Sequence, residues 1–176
     1  EYELDAYNNS GYFMDMFNLE ALELPKGGMK VGNADKDGEL YFANAGKLKK
    51  ILIYKEGAPD DKVDITDDAV KPLLNRVGKY MFSNCYSLST KYINRLIKDV
   101  TEIKANAFYA DEGNRKKFSD DTDHNMAIEI PSSVTNIGSQ AFYNRLKVTG
   151  LNIHGNVGCL EIGSEAFGQC DELAKI

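Results

Sequence analysis

The chain has 176 residues, of which 43% are hydrophobic and 27% charged, and its formal net charge is −6. This length suits one domain, or one domain with a small appendage, and the composition excludes a chain that is disordered throughout. The negative charge argues against nucleic acid and anionic membranes as partners, because both favour a basic surface. No apolar run approaches the roughly 20 residues that a membrane span requires, so this chain is not expected to insert into a membrane.

The first 45 residues contain one motif with the spacing of a short strand. Residues 19–25 read Leu-Glu-Ala-Leu-Glu-Leu-Pro, in which leucines recur and a proline ends the segment. We predict that residues 1–45 form a degenerate first repeat or an irregular N-terminal cap, which would cover the exposed end of a repetitive core. Residues 46–176 are predicted to form the repeat array itself.

Two acidic segments resemble calcium-binding loops. Residues 33–38 read Asn-Ala-Asp-Lys-Asp-Gly and match the first half of such a loop, but its twelfth position is Asn44, not the bidentate glutamate that calcium needs. Residues 121–125 lack both the glycine and the glutamate. Solvated turn and loop acids are the favoured interpretation of both, and we predict no metal site and no cofactor.

A phased repeat dominates the second half of the chain. Residues 100–108 read Val-Thr-Glu-Ile-Lys-Ala-Asn-Ala-Phe, residues 134–142 read Val-Thr-Asn-Ile-Gly-Ser-Gln-Ala-Phe, and residues 160–167 read Leu-Glu-Ile-Gly-Ser-Glu-Ala-Phe. A shorter version ends at Phe82. The glycine of the Ile-Gly step is expected to permit a tight backbone turn out of a strand.

A cysteine and a leucine continue the same register after the phenylalanine, which gives the unit Ile-Gly-x-x-Ala-Phe-x-x-Cys-x-x-Leu. The two middle units have Asp111 and Arg145 at the cysteine position, and we interpret them as degenerate there. The predicted repeat core consists of the residues that share this phase: Phe82, Cys85, Phe108, Ile130, Ile137, Gly138, Phe142, Ile153, Ile162, Gly163, Phe167 and Cys170.

Short strands are predicted before the Ile-Gly step. Residues 128–131 (Ile-Glu-Ile-Pro) and 151–154 (Leu-Asn-Ile-His) alternate apolar and polar side chains, which indicates strands with one buried face. Residues 95–97 (Arg-Leu-Ile) occupy the matching place ahead of Val100. The outward side chains of these strands are the predicted binding surface: Arg95, Glu129, Asn152 and His154.

One such unit cannot bury its own apolar face, whereas stacked units share a continuous core. The predicted fold is therefore an α/β repeat, a solenoid with short strands, short helical or 3-10 turns and an irregular N-terminal cap. The charged segment 111–125 explains the long separation of Phe108 from Phe142 and is expected to be a surface loop.

Residues 128–142 resemble the consensus of BspA-like leucine-rich repeats, also called the Treponema pallidum type, and residues 167–173 continue the likeness. The resemblance covers about residues 70–176. It implies a right-handed solenoid of the leucine-rich-repeat type on a secreted or surface-anchored protein that attaches to host matrix proteins, host cells or other microbes, and it implies no catalytic residues. Lys104, which replaces the usual glycine, is one departure from the pattern.

Catalytic motifs are not apparent in the sequence: it has no phosphate loop, dinucleotide-binding glycines or zinc-ligand spacing. His154 and Cys159 could suggest a nucleophile and its base, but we favour a surface histidine and a buried thiol. We therefore predict an extracellular module that binds a protein or glycan. The alternatives are a structural spacer in a larger surface protein and, ranked last, an enzyme.

Overall fold

A computed structural model describes residues 13–24, 41–55, 58–67, 74–111, 113, 126–145, 147–155 and 158–176. Eight short strands and one helix lie in these residues. They are β1 (Ala21–Leu24), β2 (Lys50–Lys55), β3 (Ala58–Asp64), α1 (Thr90–Ile97), β4 (Glu102–Ile103), β5 (Ala127–Ile130), β6 (Asn136–Ile137), β7 (Gly150–Ile153) and β8 (Glu161–Ile162).

The strands form three small sheets. Strand β2 pairs parallel with β1 and antiparallel with β3, β5 pairs parallel with β7, and β6 lies between β4 and β8 in a third, parallel sheet. In that sheet Ile103 pairs with Ile137, which pairs with Ile162, while Val77 bridges to Ile103. The aliphatic residue of each repeat therefore stacks on its equivalent, as a solenoid requires.

The centre of the array is a continuous stack of phenylalanine rings. Neighbouring rings have centroids 5.1 to 5.6 Å apart and lie within 20° of parallel. In order along the stack they are Phe13, Phe42, Phe82, Phe108, Phe142 and Phe167. Burying these rings removes a large apolar area from water, and their stacking adds further attraction. We call each turn of the array a rung and name it by its phenylalanine.

The stack extends into the segment predicted to be a cap or degenerate repeat, residues 1–45. The Phe42 rung also repeats the turn seen later in the chain, because the amide of Leu48 donates to the Ala45 carbonyl at 3.0 Å and the same bond recurs in four other rungs. The signal was present as Phe-x-x-Ala-x-x-Leu, with alanine in the cysteine position.

The backbone around each phenylalanine hydrogen-bonds from rung to rung. In the Phe82 rung, the amides of Tyr80, Phe82 and Asn84 donate to carbonyls of the Phe108 rung. Tyr80 and Asn84 have φ of 56° and 58°, and most rungs have positive φ at one or both of these positions. Left-handed residues interrupt a right-handed helix. The described segments around the phenylalanines are therefore successive turns, and the helical turns predicted there are not found.

The repeat glycines allow neighbouring rungs to approach each other closely. This role differs from the prediction that each glycine permits a tight turn. Neither Gly138 nor Gly163 has a positive φ. A Cβ at Gly138 would lie 2.3 Å from the backbone nitrogen of Ala105, and one at Gly163 would lie 2.4 Å from that of Ser139. These positions need glycine because the backbone of the preceding rung occupies the space of a side chain.

In the Phe82 rung, a helix occupies the position at which other rungs have a strand. Strands β1, β2 and β7 each begin eight residues after the phenylalanine of their rung, and α1 begins at the same position, Thr90. The prediction of a strand at 95–97 is therefore wrong. Tyr92, Ile93 and Leu96 are buried on one side of α1, and this spacing is that of an amphipathic helix.

Two residues of the predicted core lie outside it. Ile162 is 49% exposed because β8 is an edge strand, and Ile153 is 43% exposed at the end of β7. Strand β7 pairs with β5 along one side, whereas among the described residues the other side has only the bridge from Gly150 to Lys175. The remaining predicted core residues are buried or half-buried: Phe82, Cys85, Phe108, Ile130, Ile137, Gly138, Phe142, Gly163, Phe167 and Cys170.

The cysteine position of the Phe142 rung holds a buried arginine. Arg145 is 3% exposed, and its guanidinium donates to the backbone carbonyls of Cys85 and Leu88 at 3.2 and 2.6 Å. Those carbonyls belong to the Phe82 rung. The Phe108 rung lies between the Phe82 and Phe142 rungs and lacks the Cys-x-x-Leu sequence. The unit interpreted as degenerate thus makes a specific contact with the Phe82 rung.

Candidate functional site

The structure brings together three of the four residues predicted to bind a partner. Strand β5 pairs with β7 so that Glu129 lies opposite Asn152. The Asn152 amide donates to Glu129 Oε1 at 2.8 Å, and His154 Nε2 lies 2.8 Å from Glu129 Oε2. The side chains of Glu129 and His154 are 41% and 58% exposed. We call these three residues the Glu129 cluster, a surface site in which one carboxylate orients an amide and an imidazole.

Arg95, the fourth predicted residue, is not part of this surface. It lies in α1, only 8% of it is exposed, and its guanidinium is 3.9 Å from the carboxylate of Asp99. The sequence prediction failed because Arg-Leu-Ile was read as a strand, whereas helical spacing turns Arg95 toward the interior. Its assignment to the outward strand face is therefore corrected.

A second polar cluster has a similar geometry on the sheet formed by β1, β2 and β3. Lys62 donates to Glu23 Oε1 at 2.7 Å, and the Tyr54 hydroxyl donates to Glu23 Oε2 at 3.2 Å. The hydrogen bond from Lys62 holds the pKa of Glu23 below its ordinary value, and the same contact raises the pKa of Lys62. We call these residues the Glu23 cluster, which the sequence analysis missed.

The repeat register explains why the two clusters resemble each other. Glu23 and Asn152 each stand ten residues after the phenylalanine of their rung, while Tyr54 and His154 each stand twelve residues after theirs. The two clusters therefore draw side chains from the same two positions of the repeat. This register could have identified Glu23 and Tyr54, had Phe13 and Phe42 been recognised as repeat residues.

The helix α1 holds the strand that carries Glu129. Asn94 donates from Nδ2 to the Ala127 carbonyl at 2.8 Å and accepts at Oδ1 from the Glu129 amide at 3.0 Å. One carboxamide thus makes the two hydrogen bonds that a neighbouring strand would make with β5. At the other sheet, the Tyr92 hydroxyl donates to Asp64 at the end of β3. Through these contacts α1 joins the sheets that carry the two clusters.

Among the described residues, His154 and the three thiols form no pair of nucleophile and base. His154 contacts Glu129, and Cys159 is exposed, which corrects its prediction as a buried thiol. Cys159 lies within the extra residues between β7 and β8. Burial raises the pKa of the Cys85 thiol to about 12, so this group is protonated and unreactive at neutral pH.

The parts of the chain that the structure describes contain no group of three His, Cys, Asp or Glu residues that could hold a metal ion. The helix that they contain is too short and too polar to cross a membrane. The calcium-loop-like segments at 33–38 and 121–125 lie outside the described residues.

The chain is similar to known repeat proteins. A sequence model of the BspA type leucine rich repeat region matches residues 62–115 and 114–176, in 6 copies. The solved structure of a leucine rich cell surface protein from Faecalibacterium prausnitzii matches with a TM-score of 0.50 and 19% identity, covering 96% of this chain and 42% of that chain. This likeness indicates a shared leucine-rich-repeat solenoid fold.

A leucine-rich repeat protein from Bacteroides ovatus matches with a TM-score of 0.43 and 16% identity, covering 95% of this chain and 39% of that chain. The chain thus spans about two fifths of the length of these two proteins. Comparison with curated proteins gives no significant match.

Proposed function

Because this chain belongs to the BspA-type leucine-rich repeat family, we propose that it is a binding module of a secreted or cell-surface protein. It contacts a protein or glycan partner through the outer side of the β5–β7 sheet, with the Glu129 cluster at the centre, and it catalyses no reaction. Right-handed winding of the solenoid, the usual sense for parallel strands joined by crossovers, belongs to the same proposal.

The observation that carries this proposal is the double contact of Glu129. Its two carboxylate oxygens hold Asn152 and His154 while all three side chains stay accessible to solvent. A partner that meets side chains already held in place loses less conformational entropy on binding than one that must order them. Exposed ion pairs and hydrogen bonds add little to folding stability, so removing these contacts should affect partner binding more than folding.

The test is a binding screen of the folded chain against immobilised extracellular-matrix proteins and a glycan array. The informative variant combines Glu129→Ala, Asn152→Ala and His154→Ala. We expect it to bind at least one saturable partner at least tenfold more weakly, about 1.4 kcal/mol in binding free energy. Its free energy of unfolding should fall by less than about 1 kcal/mol, because the contacts removed are exposed.

The chain offers a matched control on another sheet. Asn136 in β6 donates to Glu161 in β8 at 3.3 Å, so the pair also joins an amide to a carboxylate on neighbouring strands. The variant with Asn136→Ala and Glu161→Ala should bind as the original chain does. If the Glu129-cluster variant and the original chain bind every partner with equal affinity, the proposed surface is refuted. Absence of any partner for a folded sample would favour the spacer function.

A further inference from the structure

A groove of about 530 Å³ runs along a different part of the array, across the Phe13, Phe42 and Phe82 rungs. We call it the corner groove. It lies beside residues that follow the phenylalanines, and its lining includes Phe17, Asn44, Lys47, Asn84, Tyr86 and Asp111. Its volume is in the range of small-molecule sites. It shares no residue with the Glu129 cluster.

Aromatic side chains form the apolar part of the corner groove. Phe17, Gly46 and Tyr86 occupy the same position in three consecutive rungs, each four residues after the phenylalanine. A Cβ at Gly46 would lie 3.3 Å from the Tyr86 ring, so this ring covers the glycine and is itself only 4% exposed. Phe17, by contrast, is 61% exposed. The exposed Phe17 ring is thus available for stacking on a ligand, whereas Gly46 and Tyr86 are already packed against each other.

Carboxamides form the polar part of the groove. Asn84 donates to Asn44 Oδ1 at 2.8 Å, Asn44 donates to Asp15 at 2.7 Å, and Asn84 Oδ1 accepts from the Asp111 amide at 2.8 Å. A carboxamide has two N–H donors and an oxygen with two lone pairs. Each asparagine therefore keeps one donor and one lone pair beyond this chain of bonds, and their side chains are fixed in orientation by it.

Three backbone amides at the groove are already paired within the chain, which limits what can bind there. The Asn44 amide donates to the Ser83 carbonyl, the Asn84 amide donates to the Tyr109 carbonyl, and the Ser87 amide donates to the Gly46 carbonyl. An extended peptide that adds to a sheet needs unpaired backbone groups along an edge. The groove therefore recognises its ligand through side chains.

The charges on the lining argue for a neutral ligand. Lys47 and Asp111, together with Asp15, which accepts from Asn44, contribute one positive and two negative groups, too few of either sign to favour a polyanion or a polycation. A neutral ligand with both an apolar face and many hydroxyl groups fits the aromatic ring and the carboxamides together. The hydroxyls donate and accept as the asparagines do, and the apolar face stacks on Phe17.

We propose that the corner groove binds a short neutral oligosaccharide, with one pyranose ring stacked on Phe17 and its hydroxyls hydrogen-bonded to Asn44 and Asn84. This site is independent of the Glu129 cluster. Binding at the groove would let one array hold a glycan while its sheet surface meets another partner.

The test uses the whole chain and calorimetric titration with cellotetraose, mannotetraose and the tetramer of N-acetylglucosamine. We expect at least one to bind, and Phe17→Ala to weaken that binding at least tenfold. Phe17→Trp, which keeps an aromatic ring, should retain it. Met16→Ala removes an apolar side chain of 43% exposure outside the groove and should have no effect. The Glu129-cluster variant should also bind the oligosaccharide normally, which separates the two proposals.

The opposite results would overturn the assignment. They are no binding of the three neutral oligosaccharides, or binding that Phe17→Ala leaves unchanged. Binding restricted to a sulfated oligosaccharide would equally overturn it, because the argument rests on a neutral ligand. The exposed position of Phe17 means that its variants should fold, and the thermal unfolding midpoint of each sample verifies this.

Discussion

The guanidinium of Arg145 donates a 2.6 Å hydrogen bond to the backbone carbonyl of Leu88, two rungs earlier in the array. A second bond from the same group reaches the Cys85 carbonyl at 3.2 Å. Burial lowers the pKa of Arg145 to about 10, and the group is still protonated at neutral pH. Both bonds are therefore charge-assisted, and the Cys85 carbonyl accepts one of them in addition to the bond from the Leu88 amide.

Replacing this arginine should destabilise the array. We expect Arg145→Ala to lower the free energy of unfolding by about 3–5 kcal/mol, because it removes two buried hydrogen bonds and leaves a cavity. Arg145→Met fills most of the space without donors and should cost less, about 1–3 kcal/mol. Urea denaturation measures both, with the exposed Lys98→Ala as the control. Equal stability of the alanine variant and the original chain would contradict this role.

Asn94 should be needed to hold β5 against α1. Asn94→Ala removes the donor to Ala127 and the acceptor for the Glu129 amide, and we expect a loss of about 1–3 kcal/mol in the free energy of unfolding. Asn94→Asp keeps the acceptor but sets a carboxylate against the Ala127 carbonyl, so it should be at least as harmful. Amide hydrogen exchange provides the local measurement, since the Glu129 amide should lose protection. Unchanged protection in both variants would show that packing alone holds the strand.

The sequence predicted the stacked phenylalanines from Phe82 onward because each is preceded by the same apolar and small residues. It did not predict α1, because the repeat register places a strand eight residues after Phe82, as in other rungs. The helical spacing of the buried residues Tyr92, Ile93 and Leu96 conflicts with that register. Arg145 was also misread, since only the folded array shows that its guanidinium reaches the Phe82 rung.

The Glu129 cluster was predictable because alternation in a strand points Glu129 and Asn152 to the same side. The Glu23 cluster was missed with the early rungs, where Met16 and Ala45 occupy the position of the diagnostic cysteine. The corner groove is lined by residues of several rungs, and a single repeat unit carries no sign of that arrangement.

Close approach between rungs makes Gly138 the most restrictive of the repeat positions. Gly138→Ala places a Cβ 2.3 Å from the Ala105 nitrogen, and backbone cannot move aside as a flexible side chain would. We expect a loss of about 3 kcal/mol in the free energy of unfolding, at the high end for overpacking. Gly155→Ala is the matched control, because its Cβ would meet nothing within 4 Å. Equal thermal midpoints for the two variants would mean that the rungs separate easily.

The Cys85 thiol should make the stability of the array fall at alkaline pH. It donates to the Phe42 carbonyl at 3.2 Å, and its pKa in the folded chain is about 12, above the ordinary value of 9.0. Between these pH values the folded chain keeps the thiol proton and the unfolded chain loses it. The unfolded state then binds fewer protons, so stability decreases as pH rises, by up to about 1.4 kcal/mol per pH unit.

The variant Cys85→Ser isolates this effect, because a serine hydroxyl can donate to the same carbonyl but does not titrate in this range. At about pH 8.5 the original chain should be as stable as the variant or more so. By about pH 10.5 the difference should have shifted in favour of the variant by roughly 2 kcal/mol. Urea denaturation of both chains at a series of pH values measures this shift, and shared titrations of lysines and tyrosines cancel in the comparison. A constant difference across the series would show that Cys85 is accessible to solvent in the folded chain.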